Sequence, residues 1–225
     1  MKRNSIKYSL CILFLFSALC TLNAKEFRVL ALSDIAQYSE LEMFDFEASE
    51  VIKVPINKKH ASPKFEVPTN NVVKLYEKYP LDGAEVSPVL SMNFSGQSKD
   101  TLILLRNDPE NENILKHKFI DCSPKSFPGG SLLVINSCTK PIMAKFGEKV
   151  VRFPPKNTKF VQLIDSDDDE AAPFSGVVKF AGPLNGQLDH FVSTLWYLPN
   201  TLKQVIILSQ NRELGRYELR KVNVH

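Results

Sequence analysis

Cys122–Cys138, CSPKSFPGGSLLVINSC, divides the chain into two halves of one kind. Residues 123–130 form a Pro- and Gly-rich connector that runs straight into an apolar strand, Leu132–Ile135. Gly129-Gly130-Ser131 leads into a strand rather than opening a helix, so the context of a phosphate loop or nucleophile elbow is missing. A glycine pair there points to a backbone position with positive φ, or to close approach of two chain segments.

Upstream of this seam the pattern is strand after strand. Glu26–Leu32, Leu41–Phe46, Val51–Ile56, Lys64–Val67 and Val72–Tyr76 are rich in β-branched and aromatic residues. Pro68-Thr69-Asn70-Asn71 separates the last two as a turn. Pro88–Phe94, Thr101–Leu105 and Leu115–Asp121 complete the first half, the continuous TLILL run reading as a strand buried on both faces.

Beyond the seam follow Ile142–Phe146 and Lys149–Phe153, joined by a tight Gly147-Glu148 turn. Lys159–Ile164, Val177–Ala181, Val192–Leu198, Val205–Leu208 and Arg216–Val224 come next. In the last run the apolar parity moves from Tyr217 and Leu219 to Val222 and Val224, which predicts a β-bulge near Arg220-Lys221.

Two pairs of segments resemble each other across the seam. Lys99–Cys122 resembles Lys203–Val224, each a Lys, an apolar strand, a polar turn and a second strand. Val67–Leu75 resembles Phe153–Leu163 as strand, Pro-Asn turn, strand. Self-similarity in the same order points to duplication of one β-unit. The expected fold class is all-β: two tandem, related β-sandwich units of Ig-like or Greek-key type, either separate or fused into one continuous sandwich. Unit 1 would span 25–122 and unit 2 131–225, with 123–130 as connector.

Residues 1–24 read as a signal peptide, with basic Lys2, Arg3 and Lys7, an apolar core over Leu10–Leu19 and a small residue at Ala24. An apolar core of about ten residues is too short to cross a bilayer, which takes about 20. Of the 28 basic residues those three fall in the leader, leaving 25 against 25 acidic. A neutral mature chain gives no electrostatic case for nucleic acid. Export to the periplasm or the extracellular space follows, with no transmembrane segment after cleavage. Of four cysteines, Cys11 and Cys20 leave with the leader. In an oxidising compartment the remaining pair predicts a disulfide, Cys122–Cys138, the alternative being two buried thiols. A simple hairpin would not set the two opposite each other, so a bridge would fasten unit 1 to unit 2 at the seam.

Candidate sites are few. Asp165, Asp167, Asp168 and Asp169 lie in an acidic run ending at Glu170 that could wrap a cation, but EF-hand spacing is absent and a solvated loop explains the run equally. Trp196 and Tyr197, with Phe191, could form an aromatic platform for a sugar ring, or Trp196 could be a core anchor. Glu40/Glu42 and Asp45/Glu47 are same-face acidic pairs on a strand, as surface charge often is. His60, His117, His190 and His225 lack metal-ligand spacing, and no catalytic motif is present, so no catalytic residue, metal or cofactor is expected. Asn93-Phe94-Ser95 matches a glycosylation acceptor.

Phe127-Pro128-Gly129-Gly130-Ser131, with Val134-Ile135-Asn136-Ser137, resembles a pattern of uncharacterised exported bacterial all-β proteins, in which an FPxGS segment leads into a strand ending in Asn. Phe153-Pro154-Pro155 and Ser193–Pro199 are similar to later parts of the same pattern, so that the resemblance covers most of 86–225. It implies an all-β exported protein and no particular activity. The expected function is an exported, non-enzymatic binding or structural module of the cell envelope, its partner an envelope protein or a glycan. The alternative is a carbohydrate-binding or carbohydrate-hydrolysing β-sandwich, whose acids would meet only in the fold.

Overall fold

The computed structural model describes residues 24–33, 35, 37–81, 84–108, 110–111, 113–164, 172–184, 186–211 and 214–224. The protein is all-β, with no helix among the described residues. The leader, 1–24, lies outside them but for Ala24, as does the acidic run with Asp165, Asp167, Asp168 and Asp169.

Eight strands come from the first half: β1 (Glu26–Ala31), β2 (Glu40–Asp45), β3 (Glu50–Pro55), β4 (Phe65–Glu66), β5 (Val72–Leu75), β6 (Leu90–Asn93), β7 (Asp100–Asn107) and β8 (Leu115–Asp121). Eight more come from the second: β9 (Ser131–Asn136), β10 (Ile142–Phe146), β11 (Lys149–Phe153), β12 (Asn157–Gln162), β13 (Phe174–Leu184), β14 (Gln187–Leu198), β15 (Lys203–Asn211) and β16 (Arg216–Val224). Every one overlaps a run expected from the sequence.

The strand order repeats. One sheet of the first half runs β4-β1-β7-β8, and its counterpart in the second runs β12-β9-β15-β16. The hairpins β2-β3 and β5-β6 meet at a bridge between Glu42 and Tyr76, giving β3-β2-β5-β6 against β11-β10-β13-β14. Each sheet draws its strands from one half of the chain. Contacts divide the described residues into two compact units: those within 24–29, 35–56 and 62–121 form one, those within 30–33, 57–61 and 122–224 the other.

This order sorts the two sequence similarities. Lys99–Cys122 and Lys203–Val224 coincide with β7-β8 and β15-β16, which hold equivalent places. Val67–Leu75 and Phe153–Leu163 do not, because β5 sits in the split sheet beside β6 while β12 is the edge strand equivalent to β4. A shared Pro-Asn turn made that second pair look alike.

The second unit buries an apolar layer between its two sheets. Leu132, Val134, Ile206 and Leu208 face Phe146, Phe153, Phe180 and Trp196 across it. Full burial of each such side chain is worth about 1.5–3 kcal/mol. In the sheet β12-β9-β15-β16, Leu133, Ile135, Val205 and Ile207 point away from that layer and are buried too. Both faces of this sheet are therefore covered.

That double burial corrects the expected bulge at Arg220-Lys221. β16 pairs with β15 without interruption from Lys203↔Val224 to Asn211↔Arg216. Tyr217 and Leu219 face the core layer, while Val222 and Val224 are buried on the opposite face of the same regular strand. On that second face Arg220 donates from Nη2 to the carbonyls of Ala31 and Leu32, at 3.1 and 2.8 Å. The register shift that does occur lies between β13 and β14, where Phe180↔Val192 is followed by Ala181↔His190 and Phe191 is the extra residue.

The seam is built on close contacts. Gly130 has φ +70°, and a Cβ on Gly129 would fall 2.1 Å from the Asn200 carbonyl oxygen. Gly130 N donates to Leu202 O at 2.9 Å, tying the connector to the turn before β15. Positive φ is realised at Gly130 and close approach at both, against backbone at Gly129 and against the Ile164 side chain, 2.8 Å from a Cβ, at Gly130. The expected disulfide is not. Cys122 and Cys138 are both buried and are not bridged. Cys138 packs into the core layer as a small apolar residue instead.

Candidate binding groove

In the first unit, among the described residues, β2 is joined to the end of β5 by a single bridge, Glu42 to Tyr76. Glu42 N donates to Tyr76 O at 2.7 Å and Tyr76 N to Glu42 O at 2.8 Å. Continued antiparallel pairing would next join Phe44 to Lys74, and no bridge forms there. The sheet opens, with Phe44 and Phe46 on one lip and Val72 and Lys74 on the other, around a cavity of about 210 Å³. A second cavity of about 410 Å³ shares Met43, Phe46, Pro68 and Asn70 with the first and extends past Asp45, Glu47 and Glu66. Together they make one groove of the size that takes a small ligand.

Local chemistry holds both lips. At the β2-β3 turn, Asp45 Oδ1 accepts from Glu47 N at 2.8 Å and Ala48 N at 3.2 Å. On the other side the Pro68–Asn71 turn closes through Asn71 N to Pro68 O at 2.8 Å, and Asn71 takes the left-handed conformation, φ +58°, that asparagine tolerates. Lys25 Nζ donates to Asn71 Oδ1 at 2.9 Å and to Phe94 O at 2.9 Å. Asn70 Oδ1 accepts from Val72 N at 2.9 Å.

Four aromatic rings back this groove. Phe44 stacks on Tyr79 with centroids 5.2 Å apart and an interplanar angle of 19°. Tyr79 meets Tyr76 edge-on at 5.3 Å, and Phe46 meets Phe44 edge-on at 5.0 Å. Glu42 Oε2 accepts from Tyr79 N at 2.8 Å and fixes the segment that carries the stack. Phe46, 64% exposed, lines the second cavity together with the acidic residues Asp45, Glu47 and Glu66. An apolar ring face next to oxygen acceptors suits a ligand with one apolar and one hydroxylated face, as a sugar has.

The residues singled out by sequence lie elsewhere. Trp196 is 4% exposed, with its ring against Phe146 and Phe180 and Lys221 Nζ 4.6 Å from its centroid. Its Nε1 finds no hydrogen-bond acceptor among the described residues. Tyr197, next in the strand, points to the opposite face and is 65% exposed. Phe191 is half-buried against Phe180 and Tyr217. Trp196, Tyr197 and Phe191 thus share no platform. Of the acidic pairs, Glu40 meets Lys53 at 2.6 Å and Glu42 holds Tyr79, whereas Asp45 and Glu47 reach the groove. His60 and His190 are exposed, and burial lowers the pKa of His117, whose ring lies against Phe119. Among the described residues no cluster of His, Cys, Asp or Glu could hold a metal ion.

The chain is thus an all-β protein whose two units share one strand order, with an aromatic-backed groove on the first. No protein-family model matches it, and no curated protein matches it either.

Proposed function

We propose that this protein is an exported, non-enzymatic binding module of the cell envelope, and that the groove on its first unit takes a glycan. The observation that carries the reading is Phe46, an exposed ring that lines a cavity with three acidic residues and is held in place by the Phe44–Tyr79 stack. A pyranose offers an apolar C–H face to such a ring and hydroxyls to the neighbouring oxygens. Export rests on the basic-apolar leader over residues 1–24 and predicts a mature protein that begins at Lys25. The common strand order of the two units supports duplication of one β-unit.

The test is a glycan array probed with the protein and with Phe46→Ala. Binding to a related set of glycans that Phe46→Ala abolishes is the expected result. No binding by the unaltered protein across diverse glycans overturns the glycan reading, and an intact leader on the protein recovered from its cells overturns export.

A further inference from the structure

Sheet edges expose unpaired backbone groups, and proteins blunt them with Lys, Pro, charge or shortness. Among the described residues, seven of the eight outermost strands follow that rule. β3 carries Lys53 and Pro55, β8 Lys116 and Lys118, β11 Lys149 and Arg152, β12 Lys159, and β16 Arg216, Arg220 and Lys221. β4 has two residues, and β6 has four and follows Pro88. β14 is the exception. It is the longest strand, twelve residues, with no Lys, Arg or Pro and with its one carboxylate, Asp189, before Phe191, although its counterpart in the first unit is the short β6. Among the described residues β14 pairs with β13 alone and makes no other backbone hydrogen bond.

The bulge at Phe191 breaks the register between β13 and β14 and leaves an uninterrupted paired run after it, Val192–Leu198, VSTLWYL. That segment carries no charge. Its outward side chains are Ser193, Leu195 (72% exposed) and Tyr197 (65% exposed), and Val177 of β13 (48% exposed) lies directly opposite Leu195.

We propose that β14 pairs antiparallel with β14 of a second copy of this chain, about a twofold axis at Leu195. The segment is self-complementary about that point, as an isologous contact requires. Leu195 meets its own copy, and Val177, Leu195, Leu195 and Val177 form one unbroken apolar row across both molecules. Tyr197 falls opposite Ser193 of the second copy, so the flanking row reads Lys179, Ser193, Tyr197, Ser175, in which no cation meets a cation. Two four-stranded sheets become one of eight strands, and the one unblunted edge disappears.

Sedimentation equilibrium of the purified protein tests this. A dimer at about 100 μM or below is expected, with Leu195→Lys weakening association by about a hundredfold because two ammonium groups meet on the axis. Val150→Lys alters an exposed position on the opposite edge of the same sheet and leaves the dimer intact. Leu195→Cys cross-links to its own copy on oxidation, since directly opposed residues lie within disulfide reach. A wild-type monomer at that concentration, even with the edge held by some other protein, overturns the proposal. So does a dimer indifferent to Leu195→Lys or equally lost with Val150→Lys.

Discussion

Asn136 Oδ1 accepts a hydrogen bond from the backbone N–H of Cys138 at 3.0 Å, closing the loop that leaves β9. The same side chain donates from Nδ2 toward the carbonyls of Lys140, Phe153 and Pro154, each at 3.0 Å, so one buried amide joins the end of β9 to the exit of β11. Asn136→Ala leaves these carbonyls and one N–H without their partner, and a buried polar group stripped of its partner costs about 1–3 kcal/mol. The expected loss is about 3 kcal/mol in equilibrium denaturant unfolding. Asn136→Asp is no milder, because a carboxylate facing three carbonyls repels them.

Cys138 sits beside that clip in the core layer. Burial pushes its thiol up to about 11, against a smaller lowering by Lys156. With a folded pKa above the ordinary 9.0, the thiol holds its proton in the native state at pH values where the unfolded chain has lost it. Its contribution to stability is full below pH 9 and is lost as pH rises toward 11, by at most about 2–3 kcal/mol. Tyr217, also raised by burial and by Cys138, acts in the same direction. Cys138→Ala should flatten the alkaline fall in stability. At pH 8 native Cys138 should resist iodoacetamide and react only on unfolding; rapid native alkylation would contradict its burial.

The strand pattern was legible because alternation and β-branched runs are local signals, and bilayers of side chains in a sandwich impose them directly. The bulge expected in β16 was not there because the parity argument assumed one buried face, whereas Val222 and Val224 are buried on the second face of their sheet. The groove was only half legible. Asp45 and Glu47 could be placed on one side of a strand, but the opening depends on β2 and β5 parting after the Glu42–Tyr76 bridge, a long-range event no local pattern reports. Phe44, Phe46, Tyr76 and Tyr79 were visible as aromatics without a face. Trp196 shows the converse: a single aromatic in a strand does not say which side is buried, and the cysteine pair did not say whether its two thiols meet or are buried apart.

Gly129 and Gly96 separate steric from conformational demands on glycine. A Cβ at Gly129 meets the Asn200 backbone oxygen at 2.1 Å, and backbone cannot give way as a flexible side chain can. Gly129→Ala should cost about 3 kcal/mol or more in unfolding free energy. Gly96 has φ +76° with nothing within 4 Å of its Cβ position, so Gly96→Ala pays only the left-handed backbone, about 1–2 kcal/mol. Equal costs would contradict the close approach at the seam.

Phe46 and Phe44 should part in the same way within the groove. Phe46 is 64% exposed, so Phe46→Ala should change stability by about 0.5 kcal/mol or less. A glycan stacked on that ring loses its apolar contact, worth about 1 kcal/mol or more, and affinity should drop at least about tenfold in calorimetric titration. Phe44→Ala removes the ring on which both Phe46 and Tyr79 rest. It should weaken binding and also lower stability by about 1–2 kcal/mol, since a half-buried aromatic contact is lost with it. Loss of affinity with Phe44→Ala but not with Phe46→Ala would place the ligand away from the mouth of the groove, where Asp45, Glu47 and Glu66 could not reach it.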